Sequence, residues 1–314
     1  MKFAAIGIAL LTTHLAVPLY AAAPMARTSA PGFSRFMLGD FEITSLSDGT
    51  LDFPMDQLLA QPADETKKTL NDAFLKLPLE TSVNTFLINT GKSLILIDAG
   101  AGNIFGPTAG KVVESLQASG YTPEQIDEIY LTHAHPDHLG GLSKDGKAVF
   151  PNAILRVDAR DSEFWLSKKN LEAAPKDNKP FFEAAVAAIG PYQAAKKFKD
   201  FKGDAELSPG IRPLSTVGHT AGHSCFEITS KGQKLVLIGD LIHVERVQMP
   251  KPDVTIAFDS DAKAAAKARK DFFDKLVKDG TLVGASHLSF PGVGHLRRQD
   301  AGYSWIAKNY SRMN

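Results

Sequence analysis

The chain has 314 residues, of which 35 are basic and 35 acidic, so its formal net charge is zero. It lacks the basic excess typical of general nucleic-acid binding, so no nucleic-acid partner is expected. The single cysteine, Cys225, excludes an intramolecular disulfide and any zinc site with two or more thiolates. A bound metal would therefore have histidine and carboxylate ligands, and eight of the nine histidines lie between His133 and His295.

Residues 1–23 have the pattern of a secretory signal peptide. Met1-Lys2 is a short basic start, residues 3–19 are mostly apolar, and Ala21, Ala22 and Ala23 are small residues suited to cleavage. Polar residues and Pro18 within the apolar run disfavour the alternative, an uncleaved membrane anchor. Cleavage predicts a periplasmic or secreted protein with no membrane contact afterwards.

Residues 24–40 are predicted to be an N-terminal extension, since their first part is rich in Ala, Pro and Ser. Residues 41–314 are predicted to be one domain, because no flexible linker interrupts them. Strands are predicted first over residues 41–46 and 51–53, joined by a hairpin turn at Asp48-Gly49.

Further strands and helices are predicted from hydrophobic periodicity and capping residues. The strands are residues 82–88, 93–97, 128–132, 153–157, 211–214, 225–228, 235–238 and 281–285. The helices are residues 64–75, 110–118, 160–169, 180–189 and 261–278, the last with Ser260 as N-cap. This alternation in two halves indicates an α/β fold in which two β-sheets pack together with helices outside.

Four side chains that can bind metals follow the strand at residues 128–132, namely His133, His135, Asp137 and His138. In an extended segment His133 and His135 project to the same side, and Pro136 then turns the chain. This arrangement can place two metal ions close together. The alternative is a surface turn rich in histidine. It is disfavoured because a chance match to this histidine and aspartate pattern in a chain of this composition is rare.

Other polar residues stand at the ends of apolar strands. They are Asp98, His219, Asp240 and His287. Each alone fits a turn or a helix cap. Together they predict a site beyond the carboxyl ends of the strands, where α/β enzymes usually carry their chemistry.

The segment 132–138, with Gly218-His219, Gly239-Asp240 and Ser286-His287, resembles the metallo-β-lactamase superfamily in order and spacing. Within it, the chain is similar to the methyl parathion hydrolase group and its lactonase relatives of the dihydrocoumarin hydrolase type, through residues 30–33, 38–42, 78–82, 105–108 and 287–292. The resemblance implies an αββα sandwich of two mixed β-sheets. It also implies a metal-dependent hydrolase and a possible homodimer.

The resemblance implies two divalent metal ions per chain, zinc above all. His133, His135 and His219 would hold one ion, Asp137, His138 and His287 would hold the other, and Asp240 would bridge both. Asp98 would orient a ligand imidazole through its N–H. A hydroxide bridging the ions would attack the substrate, so no separate nucleophile is needed. Cys225 is then interpreted as a small buried residue, His223 as a structural or supporting histidine, and His295 as structural.

By the same resemblance, an aromatic substrate pocket would include Phe105, Trp165, one or both of Phe181 and Phe182, His243 and Phe258. His243 and Phe258 differ from the organophosphate hydrolases, which have aliphatic or smaller residues there. His243 could bond a substrate carbonyl or protonate the leaving oxygen, and Phe258 would narrow the space for a phosphotriester. These differences favour lactones or aryl esters as small-molecule substrates, with organophosphate hydrolysis as a side activity.

Several alternatives stay open. The main activity could be organophosphate hydrolysis. A β-lactamase shares the fold and compartment, although one large class has a cysteine where this chain has Asp240. Thioesterases and RNA-processing nucleases share the ligands, but a secreted, charge-neutral chain suits neither. From a different class, an iron-dependent oxidoreductase can use the same fold, whereas a non-catalytic binding protein would usually lack some of the ligands.

Overall fold

The computed structural model describes residues 23, 25–27, 29–30, 32–310 and 313. The predicted signal peptide lies outside these residues, apart from Ala23. The chain divides into two units, Met1–Ala30 and Pro31–Asn314, and every element below belongs to the second. Within the described ranges, no helix is both long enough and apolar enough to cross a membrane.

The first sheet has seven strands in the spatial order β1-β2-β3-β4-β5-β8-β9. They are β1 (Phe33–Leu38), β2 (Phe41–Phe53), β3 (Leu79–Asn89), β4 (Leu94–Ile97), β5 (Glu128–Tyr130), β8 (Ile154–Asp158) and β9 (Phe198–Phe201). Strands β1 to β4 pair antiparallel, whereas β4, β5, β8 and β9 run parallel. The short strands β6 (Ser143–Lys144) and β7 (Lys147–Ala148) form a separate hairpin.

The second sheet has six strands in sequence order, β10 to β15. They are β10 (Ile211–Ser215), β11 (Ser224–Ser230), β12 (Gln233–Leu237), β13 (Leu282–Gly284), β14 (Val293–Gln299) and β15 (Gly302–Ala307). All neighbours pair antiparallel except β12 and β13, which are parallel. Both sheets are therefore mixed.

Nine α-helices accompany the sheets in the described residues: α1 (Met55–Leu58), α2 (Ala63–Asp72), α3 (Val112–Ala118), α4 (Pro136–Leu139), α5 (Ala159–Trp165), α6 (Lys168–Ala173), α7 (Lys179–Ala194), α8 (Glu245–Gln248) and α9 (Ala262–Asp279). One apolar cluster joins the facing sides of the two sheets, with Phe86 of β3 and Phe226 of β11 among its members. Helix α7 covers the outer face of the first sheet, and α9 covers that of the second. This arrangement is the predicted αββα sandwich.

Two predictions at the start of the domain are wrong. Residues 33–38 belong to the first sheet rather than to an extension, because Phe36 and Leu38 of β1 are buried in the core between the sheets. The hairpin at Asp48-Gly49 is also absent, since β2 continues through both residues with a bulge beside β3. The buried Asp48 carboxylate accepts the backbone N–H groups of Ala101, Gly110 and Val112, so this turn-like dipeptide supports the loop after β4 instead.

Elsewhere the element types were predicted more accurately than their ends. Strands β9, β14 and β15 were not predicted, and the helix at 160–169 is in fact two, α5 and α6. The N-cap of α9 is Asp261 rather than Ser260, because the Asp261 carboxylate accepts the N–H of Ala264. The prediction of polar side chains at strand ends is confirmed at four positions. Asp98 and His133 follow the parallel strands β4 and β5, and Asp240 and His287 follow the parallel strands β12 and β13.

Candidate metal centre and active site

The first histidine loop begins directly after β5 and turns at Pro136, the first residue of α4. The loop is anchored by hydrogen bonds to Asp161, a buried residue of α5. The Asp161 carboxylate accepts the N–H of Ala134 at 2.9 Å, the hydroxyl of Thr220 at 2.9 Å and the N–H of Gly222 at 2.6 Å. It therefore ties the loop of His133 to the loop of His219. No motif marks Asp161, and the sequence prediction missed it.

One group of ligand atoms comes from His133, His135, His219 and Asp240, all buried and within 4.8 Å of one another. Nε2 of His219 lies 3.0 Å from Nδ1 of His135 and 3.3 Å from Oδ2 of Asp240. His133 completes the group, with Nε2 at 3.6 Å from the same Asp240 oxygen. These are the residues that the resemblance assigns to the first ion.

A second group comprises Asp137, His138 and His287, again with ligand atoms within 4.8 Å of one another. Oδ1 of Asp240 is 3.1 Å from Nε2 of His138 and 3.1 Å from Nε2 of His287. The carboxylate of Asp240 thus lies between the two groups. The fold brings together all seven side chains predicted from the sequence, although they come from four separate loops.

The chemistry of these atoms fits divalent metal ions. His133 Nε2, His138 Nε2 and Asp240 Oδ1 are buried. Although Nε2 of His138 lies 3.1 Å from Oδ1 of Asp240, none of the three atoms makes a hydrogen bond of acceptable geometry in the described part of the chain. Burial and neighbouring imidazoles hold the pKa of His133 and of His135 well below the usual value, which keeps both rings neutral. Burial opposes ionisation of Asp240, but the surrounding imidazoles outweigh it and lower its pKa. Neutral imidazoles with a carboxylate are ligands that divalent first-row metals bind.

The second ring nitrogen of each of four ligand histidines has a fixed partner. Asp98 Oδ2 lies 2.9 Å from Nδ1 of His138, and Asp259 Oδ1 lies 2.8 Å from Nδ1 of His219. Nδ1 of His287 faces the Ser82 carbonyl at 2.9 Å, and Nδ1 of His133 faces the Thr132 hydroxyl at 3.1 Å. Such partners set the tautomer and the orientation of a ligand imidazole. Asp98 was selected from the sequence as a strand-end residue, whereas Asp259 follows no strand and was missed.

Two clefts reach the centre from different sides. The first, with a volume of about 280 Å³, is lined by His135, Trp165, Asn178, Phe181, Phe258 and Asp259, among others. The second, about 150 Å³, is lined by His243 and His287 together with Leu75, Thr81, Ser82 and Arg246, among others. Trp165, Phe181 and Phe258 therefore line the first space, and His243 lines the second.

Two of the predicted pocket residues line neither cleft. Phe182 is buried behind Trp165, with ring centroids 4.7 Å apart, because successive residues of α7 point in different directions and Phe181 is the one that faces His135. Phe105 lies in the loop between β4 and α3 and is 39% exposed. Of the pair Phe181 and Phe182, Phe181 is therefore the residue that lines a cleft, and a pocket role for Phe105 stays a prediction.

The remaining histidines differ in their distance from the centre. Nε2 of His243 lies 3.1 Å from Oδ2 of Asp240, and its ring stacks on that of His287. His223 is fully buried beside Asp240, where burial lowers its pKa to about 3, so its ring is neutral. His295 is exposed on β14, away from the site.

Burial raises the pKa of the Cys225 thiol to about 12, so this residue is no nucleophile.

Two packed mixed sheets with a buried histidine and aspartate cluster at their strand ends are the architecture of a metal-binding hydrolase. The family model of the Metallo-beta-lactamase superfamily matches residues 79–287. The chain belongs to this superfamily.

Solved structures of the superfamily are similar over most of the chain. A structure described as hydrolase AbOPH in the beta lactamase superfamily is 40% identical, with a TM-score of 0.86, and the match covers 91% of this chain and 100% of that one. AidC, a dizinc quorum-quenching lactonase in complex with the product N-hexnoyl-L-homoserine, is 30% identical, with a TM-score of 0.82 and coverages of 90% and 99%.

A curated relative, the N-acyl homoserine lactonase of Bacillus cereus, is 26% identical over 179 residues. This match covers 51% of this chain and 63% of the relative, so the chain spans less than two thirds of the relative's length.

Proposed function

We propose that the protein is a dinuclear zinc hydrolase that acts on lactones or aryl esters. The observation that carries the proposal is the carboxylate of Asp240, which lies between a group of three histidines and a second group of two histidines and Asp137. A shared carboxylate between two such groups suits two ions rather than one. The dizinc lactonase AidC, 30% identical over 90% of this chain, supports the choice of metal and reaction.

Two divalent ions in such a site would polarise the substrate oxygen and lower the pKa of a water molecule. The protein supplies the geometry of the ligands. Asp98 and Asp259 hold the rings of His138 and His219 through Nδ1, so Nε2 of each ring faces Asp240. Buried surroundings exclude competing water and strengthen these interactions.

The first cleft supports an apolar or planar group on the substrate. Trp165 and Phe181 pack against the ring of His135, with centroids at 5.4 and 5.5 Å, and Phe258 lines the same space. Aromatic walls of this kind bind flat or apolar groups through their faces and edges. Phe258 also packs edge-on against Phe53, with ring centroids 5.8 Å apart. A phenyl ring held at this wall supports the proposed preference for planar substrates over a tetrahedral phosphotriester.

His243 is proposed to contact the substrate from the second cleft. Its Nε2 lies beside the carboxylate of Asp240, so the single proton of the neutral ring belongs on Nε2. Nδ1 is then a hydrogen-bond acceptor, and this buried atom has no partner among the described residues. Nδ1 of His243 can therefore accept a hydrogen bond from the amide N–H of an acylated lactone. This role as an acceptor replaces the expected role of His243 as a donor to a substrate carbonyl. The lactonase relatives act on N-acyl homoserine lactones, as their names state.

Location and assembly are proposed on the sequence alone. The signal-peptide pattern of residues 1–23 supports export to the periplasm or the medium. The resemblance to the methyl parathion hydrolase group supports a homodimer. Cell fractionation with N-terminal sequencing of the mature chain tests the first proposal, and light scattering of the purified protein tests the second.

The activity is tested with purified, zinc-loaded protein by comparing kcat/KM on dihydrocoumarin, an aryl ester, an acyl-homoserine lactone, a penicillin and methyl parathion. Lactones or aryl esters should be the best substrates, with about two zinc ions per chain. The best rate on methyl parathion would support the organophosphate alternative, and the best rate on the penicillin would support a β-lactamase. Bound iron with oxygen consumption would contradict the hydrolase proposal altogether.

The variant His243→Leu tests the substrate assignment. It should lower lactone turnover more than phosphotriester turnover, because it removes the acceptor and enlarges the apolar space. His295→Gln, at the exposed histidine of β14, is the matched control and should leave both rates unchanged. A larger loss on the phosphotriester would exclude the proposed role of His243.

A further inference from the structure

The backbone N–H of Asp240 is satisfied by a side chain rather than by a sheet or helix. Asp240 lies in a single turn, Gly239–Leu241, with φ −98° and ψ 27°, outside regular helical geometry. Nε2 of His223 lies 3.0 Å from the Asp240 nitrogen. The turn is buried, so an unpaired N–H here would destabilise it. His223 is therefore the residue that completes the hydrogen bonding of this turn.

This contact fixes the tautomer of His223. A peptide N–H can only donate, so Nε2 must accept and the ring proton must be on Nδ1. Nδ1 of His223 lies 2.8 Å from the hydroxyl oxygen of Thr216, which can accept a hydrogen bond from the Nδ1–H group. The Thr216 N–H in turn donates to the His223 carbonyl at 2.9 Å. The ring is thus held at both nitrogens, and its orientation leaves Nε2 aimed at the turn.

The ring also sets the position of the turn by contact. Gly239 has φ +50°, and a Cβ atom on it would lie 2.8 Å from Nε2 of His223 and 3.0 Å from Cβ of Thr132. No side chain fits between the ring and the backbone. The turn therefore rests directly against His223, which prevents it from moving toward the ring, while the hydrogen bond prevents it from moving away.

The position of this turn matters because the Asp240 carboxylate serves both ligand groups. Its oxygens lie 3.1 Å from Nε2 of His138, 3.1 Å from Nε2 of His287 and 3.3 Å from Nε2 of His219. A displacement of the backbone by a few tenths of an ångström would disturb both groups at once. His223 itself belongs to neither group.

We propose that His223 is a positioning residue: its Nε2 holds the backbone of Asp240 so that one carboxylate reaches both groups of metal ligands. The inference rests on the proposed function, in which both groups hold metal. It predicts that loss of the acceptor weakens both ions together, whereas loss of Asp259 would act on one imidazole only, that of His219.

The test compares His223→Leu, which removes the acceptor, with His223→Gln, whose amide oxygen can replace Nε2. Zinc affinity is measured by competition with a chromogenic chelator, and thermal unfolding is followed on the metal-free proteins. His223→Leu should bind both zinc ions about 10–100-fold more weakly, as loss of supporting groups usually does, and His223→Gln should recover most of the affinity. A purely structural role would lower the unfolding temperature and leave the affinities unchanged. Wild-type affinity in a folded His223→Leu, or no recovery in His223→Gln, would overturn the proposal.

A second measurement needs no variant at His223. Long-range 1H–15N NMR of histidine-labelled wild-type protein should show His223 protonated at Nδ1 alone, and protonation at Nε2 would overturn the inference. If His223→Leu fails to fold, Thr216→Val replaces it; zinc binding weaker than wild type supports the proposal, and unchanged binding contradicts it. Wild-type protein that binds no zinc would refute the proposed function instead, because the tautomer can be read without metal.

Discussion

Nδ1 of His219 lies 2.8 Å from Oδ1 of Asp259, a residue 40 positions later in the chain. The other oxygen of Asp259 accepts the N–H of Ile256 at 3.0 Å, so the carboxylate is held on both sides. Hydrogen bonding to His219 lowers the pKa of Asp259 in spite of burial, which favours the charged form. Asp259 therefore orients His219 from the same segment that supplies the aromatic wall at Phe258.

Asp259→Asn should weaken the first metal group. An asparagine has one acceptor oxygen, so it cannot satisfy both His219 and the N–H of Ile256. We expect zinc affinity to fall about 10–100-fold at one of the two ions, with a matching loss of lactone turnover at limiting zinc. Chelator competition measures the affinity. Asp253→Asn is the control, because Asp253 is exposed and forms a surface ion pair with Lys270. An equal loss in both variants would contradict the assignment.

Asp161→Asn should destabilise the fold at the junction of the two histidine loops. Three donors converge on the Asp161 carboxylate, from Ala134, Thr220 and Gly222, and an amide cannot accept from all of them. We expect the free energy of unfolding to fall by about 2–3 kcal/mol, measured by urea denaturation. Asp177→Asn, at an exposed position, should change it by less than about 0.5 kcal/mol. Stability equal to wild type would show that the loops do not depend on this carboxylate.

Arg269→Met should loosen the loop that carries His243. Arg269 is almost fully buried on α9, and its guanidinium donates to the carbonyls of Leu241, Pro252 and Val254. Methionine retains much of the volume but removes the guanidinium bonds to these carbonyls, of which that of Val254 keeps its bond from the Gln248 amide. We expect a cost of about 3 kcal/mol in unfolding free energy. Amide hydrogen exchange across residues 241–254 should accelerate. Arg297→Met, at an exposed residue of β14, is the control; protection unchanged in Arg269→Met would argue against this role.

Cys225 should be inert toward thiol reagents in the native protein. Its side chain is completely buried, and burial raises the thiol pKa to about 12, so the thiolate is scarcely present at pH 8. We expect no reaction with a chromogenic disulfide reagent over the time in which the protein stays folded, and one thiol per chain after denaturation in guanidinium. Rapid reaction of the native protein would show that the interior opens around β11.

The sequence predicted the candidate metal ligands that the fold brings together, because their signals are local. Four of the seven ligands occur within six residues after one strand, and His219, Asp240 and His287 each follow an apolar strand. Strand ends are readable from hydrophobic periodicity, and parallel strands bring their carboxyl ends to one edge. The superfamily resemblance and the sandwich of two sheets followed from the same positions.

The supporting residues were not predictable in this way. Asp161 lies in a helix and Asp259 in a loop, and each acts on a histidine loop that is distant in sequence. Their roles arise only when the sheets pack and bring separate loops into contact. The error at Asp48 has the same cause, since a dipeptide typical of hairpins was taken as local, whereas its carboxylate caps a loop more than 50 residues later.

The sequence by itself determined which side chains are the candidate ligands, because ligand chemistry and strand patterns are properties of neighbouring residues. Only the tertiary structure decided which aromatic residues reach the centre. Trp165 and Phe181 face His135, whereas Phe182 lies behind them. Only the structure revealed the hydrogen bond between His223 and the backbone of Asp240. Directions and distances between side chains depend on the packing of whole elements, and periodicity along a chain does not contain them.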